Sequence, residues 1–99
     1  MDVFTLERTP EWDAWFGKLR DQVGKRAILT RLARLQITGH WGDAEPVGDG
    51  ITEIRIHVGP GYRVYCKQTG KTIVLLLNGG DKDSQARDIR RAKEIAARA

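Results

Sequence analysis

The stretch Ile51-Thr-Glu-Ile-Arg-Ile-His-Val-Gly-Pro-Gly-Tyr-Arg-Val-Tyr-Cys66 decides the fold. Side chains alternate across a strand with period two, so Thr52, Ile54, Ile56 and Val58 share one face and Glu53, Arg55 and His57 the other. Gly59-Pro60-Gly61 supplies turn chemistry: glycine tolerates positive φ and proline fixes its own. The pattern predicts a tight β-hairpin in which Val58 pairs with Tyr62, His57 faces Arg63, Arg55 faces Tyr65 and Glu53 faces Lys67. A one-residue slip would bury Arg63, so the predicted register keeps Ile54, Ile56 and Val64 on one buried face. The other face then gathers cations and a histidine on rigid strands, a surface suited to a phosphodiester.

Working outward, Val3-Phe-Thr-Leu6 reads as a short opening strand. Thr9-Pro10-Glu11 is a helix start, with Thr9 as N-cap and Pro10 in the first turn. Trp12, Trp15, Phe16, Leu19 and Val23 follow at helical spacing, which predicts core packing rather than a base-stacking platform, and Gly24 is the expected C-terminal cap. A second helix is expected from about Lys25 to Ile37, with Ile28, Leu29, Leu32, Ala33 and Leu35 inward and Lys25, Arg26, Arg31 and Arg34 outward. Its close spacing from the first predicts an antiparallel pair. Residues 39–50, rich in Gly, Asp and Pro, read as a loop. Thr72–Asn78 is a strand apolar on both faces, hence covered on both sides, and Asn78-Gly79-Gly80 is its breaker. A C-terminal helix follows, capped by Asp81 or Asp83, with a thin stripe of Ala86, Ile89, Ala92 and Ala96. The order β-α-α-β-β-β-α implies an α+β fold: a small antiparallel sheet packed on an N-terminal helical hairpin and a C-terminal helix.

Ninety-nine residues with 40% hydrophobic content make one folded domain spanning 1–99. The net charge of +4 is uneven: residues 1–50 carry seven Lys/Arg against eight Asp/Glu, residues 51–99 ten against five. The hairpin lies in the basic half, which fits a polyanionic partner. A single cysteine, Cys66, excludes an internal disulfide. The mixed, charged N-terminus has no signal-peptide pattern and no apolar run spans a bilayer, so a cytoplasmic protein without a membrane partner is expected. His40, His57 and Cys66 have no metal-site spacing, so neither metal nor other cofactor is expected, and neither glycine cluster is a dinucleotide or phosphate loop.

Glu53-Ile-Arg-Ile-His-Val-Gly-Pro-Gly-Tyr-Arg-Val-Tyr65, Leu75-Leu-Leu-Asn-Gly-Gly-Asp-Lys-Asp-Ser-Gln85, Asp88-Ile89 and Ala92-Lys93 resemble the addiction-module killer proteins. These are HigB-like members of the RelE/ParE toxin superfamily, also known as phage Gp49-like proteins. The resemblance spans essentially the whole chain. It implies a RelE-like fold, a type II toxin-antitoxin system with a cognate helix-turn-helix antitoxin, operator DNA bound through that antitoxin, and ribosome-dependent cleavage of mRNA in the ribosomal A site. Arg63 then corresponds to the arginine at the scissile phosphate, Arg55 to a basic residue on the preceding strand and Lys82 to the basic residue after the last strand. RelE has a lysine where this chain has Glu53, and a C-terminal tyrosine where it has Gln85, Ala86 or Arg87. The expected catalytic set is Arg55, His57, Arg63 and Lys82, with Tyr65, Lys67, Lys71 and Arg87 contacting RNA and His57 or Tyr65 moving protons. The expected activity is that of a metal-independent endoribonuclease. Two other readings stay open: a ParE-like toxin that inhibits gyrase, and a catalytically inactive module that binds antitoxin and DNA.

Overall fold

The computed structural model describes residues 1–99 as β1 (Thr5–Arg8), α1 (Pro10–Lys18), α2 (Gln22–Thr38), β2 (Ala44–Pro46), β3 (Ile51–Ile56), β4 (Tyr62–Thr69), β5 (Ile73–Asp81), a 3-10 turn (Lys82–Ser84) and α3 (Gln85–Arg98). The five strands form one sheet in the order β1-β5-β4-β3-β2. The architecture is α+β, with one strand more than the sequence predicts. β2 lies inside the expected 39–50 loop and pairs antiparallel with β3. The sheet is also not purely antiparallel, because β1 runs parallel to β5 after the helical hairpin crosses over.

Capping chemistry explains the helices. The Trp12 amide donates to Thr9 Oγ1 at 3.1 Å, and the same hydroxyl lies 2.9 Å from the Leu76 carbonyl, tying α1 to β5. Gly24 does not end α1, which closes at Leu19. Asp21 caps α2 instead, accepting from the Gly24 amide at 3.0 Å. Gly24 therefore sits inside α2, where a Cβ would lie 2.4 Å from the Tyr62 ring, and Val23 turns out to solvent. Gly39, at φ 75°, ends α2 as expected.

The two faces of the sheet have different coverings. The helical hairpin packs Trp12, Ile28, Leu32 and Leu35 onto Ile54, Ile56, Val64, Cys66, Val74 and Leu76. Leu29 and Ala33, expected inward, are exposed. Together with Leu6, Phe16 and Leu76 they border an apolar groove of about 600 Å³ between the hairpin and β1. The aromatic stripe packs as core: Trp12 is buried, and its ring stacks on Phe16 at 5.5 Å. On the opposite face, α3 covers a smaller cluster of Ile51, Tyr65, Leu77, Ala92 and Ile95. The buried stripe of α3 is Asp88, Ala92 and Ile95, while Ala86 is exposed. β5 runs through Asn78-Gly79-Gly80 rather than breaking there, since Gly79 lies under the Trp15 ring and Gly80 under Asp88. No helix is long and apolar enough to cross a membrane.

The hairpin pairs Ile56 with Tyr62, Arg55 with Arg63, Ile54 with Val64 and Glu53 with Tyr65. This is two positions from the predicted register. The connection spans His57 to Gly61 rather than the three turn residues alone, and a shift of two leaves every side chain on its expected face.

Candidate active site

The face of the sheet beneath α3 is polar at one end. Glu53 and Arg55 project from β3, Arg63 and Tyr65 from β4, and Asn78 and Gly80 from β5; Gln85 and Asp88 come down from α3. Glu53 is fully buried. Its carboxylate accepts from the Tyr65 hydroxyl at 3.0 Å, from Gln85 Nε2 at 2.9 and 3.1 Å, and from Arg55 Nε at 3.0 Å. Burial first, and the Glu53 charge after it, push the Tyr65 phenol far above its ordinary pKa. Tyr65 is thus a structural donor inside the sheet–α3 interface, and the expectation of an RNA-contacting tyrosine there is corrected by its complete burial.

Arg63 is the unusual member. Its residue is only 8% exposed, and Nε and Nη1 are buried without a hydrogen-bond partner in the chain. Buried charged donors normally find acceptors, because leaving them unmade costs several kcal/mol. Opposite Arg63 on β5 is Gly80, where a Cβ would collide with the Asp88 carboxylate. That carboxylate is held by the Ser84 hydroxyl and by Arg87 Nε at 3.6 Å. The Asn78 amide donates to the Asp88 carbonyl at 3.1 Å, and its Oδ1 is also buried and unpartnered. Arg63 is therefore a charged side chain held between the sheet and α3 with donor capacity that no group of the chain uses.

Arg55 stands beside Arg63 as its cross-strand partner, but its charge is answered by Glu53 at 3.0 Å and Glu45 at 3.5 Å. The hydrogen bond to Glu53 holds its pKa above the ordinary arginine value. His57 lies past the end of β3 and does not face Arg63; its Nε2 is 2.5 Å from Asp43 Oδ2 on the approach to β2. Lys82 is exposed on the turn after β5, packed near Gly61, at the Arg63 end of the sheet. Arg87 is exposed on the first turn of α3, at the rim. Lys67 is half-buried and pairs with Ile51. Lys71 belongs to the β4–β5 turn at the far end of the sheet, about 20 Å from Arg63 at the usual rise per strand residue, so it is not part of this cleft.

Sequence reasoning missed Asp43, Asn78, Gln85 and Asp88, and misjudged Glu53. Alternation puts Glu53 on the polar face but does not reveal that a helix covers that face. The one available signal was the Asp81–Ser84 capping box, which fixes where α3 starts and hence where Gln85 and Asp88 point. The apolar groove lies on the other face of the sheet, against the hairpin, and Arg8 and Asp13 are its only charged lining residues, 3.4 Å apart. The polar cluster under α3, with the charged rim beside it, is the better candidate for chemistry.

This pairing of a mixed five-stranded sheet with a helical hairpin on one face and a terminal helix on the other is the RelE fold. The structure of a mutant E. coli toxin RelE in the free state superposes with a TM-score of 0.72 over 96% of this chain and 99% of that one, at 18% identity. No family model matches the chain. A Haemophilus influenzae protein described as "Uncharacterized protein" is 45% identical over 91 residues, covering 92% of this chain and 91% of its own length. The chain belongs to the same family as that protein.

Proposed function

We propose that this chain is the toxin of a type II toxin-antitoxin system, of the HigB-like kind, and that it arrests translation by cutting mRNA in the ribosomal A site. The observation that carries the reading is Arg63: a buried guanidinium edge with no partner of its own, on rigid strands of a RelE fold, in the basic half of the chain. In the proposed reaction the RNA 2′-hydroxyl attacks the adjacent phosphate, the 5′ oxygen leaves, and a 2′,3′-cyclic phosphate and a 5′-hydroxyl result, with no metal required. Arg63 stabilises the charge that builds on the phosphorane, an effect of about 10²–10³ in rate for a preorganised donor. Lys82 and Arg87 extend the cationic rim along the RNA. Arg55, aligned by Glu53 and Glu45, orients the strand beside Arg63. His57 handles protons, because an imidazole can both accept one and give it up. A cytoplasmic location and a helix-turn-helix antitoxin that carries the pair to operator DNA complete the reading.

One observation favours a second reading, a gyrase-inhibiting toxin without nuclease chemistry. The resemblance puts Glu53 where RelE has a lysine, and a carboxylate there leaves the site one cation poorer. A single experiment separates them: brief induction followed by primer-extension mapping of mRNA ends, on ribosome-bound and naked RNA. The nuclease reading expects growth arrest with new 5′ ends on ribosome-bound messages only, abolished in Arg63→Ala. Arrest with intact messages and DNA damage would replace it with the gyrase reading. Unimpaired growth at confirmed expression would reject both.

A further inference from the structure

One row of residues crosses the sheet at the candidate site. Gly80 on β5 pairs with Arg63 on β4, and Arg63 pairs with Arg55 on β3. Next, the Arg55 amide donates to the Asp43 carbonyl at 2.9 Å, just before β2. Asp43 therefore lies two strand spacings from Arg63, about 10 Å. From the end of β3, His57 reaches back to Asp43, with Nε2 at 2.5 Å from Oδ2. That hydrogen bond is the main cause holding the Asp43 carboxyl below its ordinary pKa.

The corner that carries this pair is rigid. The Arg31 guanidinium, expected to point outward, instead donates to the carbonyls of Arg55 at 2.7 Å, Trp41 at 2.9 Å and Asp43 at 3.3 Å. It fixes α2, the chain before β2 and the end of β3 together. The pair itself is open to solvent, with side chains 68% and 44% exposed for His57 and Asp43. An exposed polar contact of this kind adds little to stability, typically about 0–1 kcal/mol, so the fold has small use for it. The charged groups around it are Arg55 on β3, Arg31 from α2 and Glu45 on β2, the last engaged with Arg55.

We infer that Asp43 is a positioning residue for His57, and that the two form the proton-transfer dyad of the cleft; this rests on the endoribonuclease reading above. Asp43 accepts Nε2–H and so leaves Nδ1 of the neutral ring as the free base. A phosphodiester seated at Arg63 presents its ribose toward this end of the row. The 2′-O–H bond breaks, its proton goes to Nδ1, the 2′-oxygen bonds to phosphorus and the bond from phosphorus to the 5′ oxygen breaks. The leaving oxygen takes a proton from water, and the imidazolium returns its own to solvent, so the protons balance. The carboxylate stabilises the imidazolium while it exists and fixes the tautomer before it forms, the role an aspartate plays beside a catalytic histidine.

The test is single-turnover cleavage of ribosome-bound mRNA from pH 5.5 to 8.5, with nitrogen NMR of the His57 ring in the free protein. Asp43→Asn and Asp43→Ala are expected to lower the saturating rate about 10-fold or more with apparent affinity preserved. They should move the kinetic inflection to lower pH, because the imidazolium loses its counter-charge. Asp43→Glu should recover part of the rate. In the wild type the ring should hold the Nε2–H tautomer more completely than in Asp43→Ala, where it should relax to the mixture of an unrestrained imidazole. Wild-type rate and pH profile in folded Asp43 variants, with Arg63→Ala inactive, would overturn the dyad and leave the nuclease reading standing. A wild-type protein that cuts nothing, or an Arg63→Ala variant that cuts normally, would bring down both.

Discussion

Arg63 separates function from stability at a single position. A buried guanidinium with two unpartnered nitrogens costs the folded chain free energy, and a methionine of similar reach would remove that cost. Arg63→Met is therefore expected to raise stability by about 1 kcal/mol or more, measured as a higher urea midpoint with unchanged slope, while abolishing toxicity. A destabilised Arg63→Met protein would mean that the arginine is a structural residue whose partners relax onto it. Arg63→Lys should restore little of the activity, since an ammonium cannot present the planar, forked edge that the cleft holds in place. The position of this arginine was legible in the sequence, because alternation alone put it on the polar face. Its isolation was not. Whether a side chain finds an acceptor depends on what stands opposite it, and moving the register by two residues puts Arg55 there in place of His57.

At the level of elements, α3 is held to the sheet by polar contacts as much as by apolar ones. Ala92 and Ile95 are its only fully buried apolar residues, worth a few kcal/mol together, and its first turn hangs on Gln85–Glu53, Ser84–Asp88 and Asn78–Asp88. Glu53→Ala would leave the Tyr65 hydroxyl, the Gln85 amide and Arg55 Nε without their common acceptor. The expected cost is about 3–5 kcal/mol by urea unfolding, with faster amide exchange across α3; Glu53→Gln, which keeps an acceptor, should cost less. An alanine variant within about 1 kcal/mol of the wild type would show that the network contributes no net stability. These elements also mark where sequence reading stops. Long periodic segments and cap signals located the helices, the hairpin and the doubly covered β5. The three-residue β2, which is Ala-Glu-Pro, has too few residues for a period and exists only because β3 offers it an edge. The stripe on α3 was misplaced for a physical reason: hydrophobicity cannot flag a buried carboxylate, and Asp88 is buried against a glycine that only the folded sheet brings near it.

The whole molecule should show a lopsided stability profile in pH. On the acid side, Glu11, Asp21 and Asp43 lie below their ordinary values, through hydrogen bonds from Arg98, the Gly24 amide and His57 respectively. Groups depressed in the folded state give stability that is present above their unfolded pKa values of 4.5 and 3.8, and lose it as pH falls through the lower folded values. Asp43 is exposed and Glu11 and Asp21 are half-buried at the surface, so solvent screens all three and this limb should be shallow. On the alkaline side, burial pushes the Cys66 thiol from 9.0 up to about 12, and raises Tyr65, whose ordinary value is 10.0. A group raised in the folded state stabilises fully below its unfolded pKa and loses that contribution as pH climbs through the folded value. The decline should therefore begin near pH 9 and steepen toward 12, because the unfolded chain can release a thiol proton that the folded core retains. Urea unfolding from pH 3 to 11 should give a gentle acid limb and a steep alkaline one. Cys66→Ala should lower the whole curve through the cavity it leaves, yet flatten the alkaline limb. An alkaline limb unchanged by that substitution would assign it to the tyrosines instead.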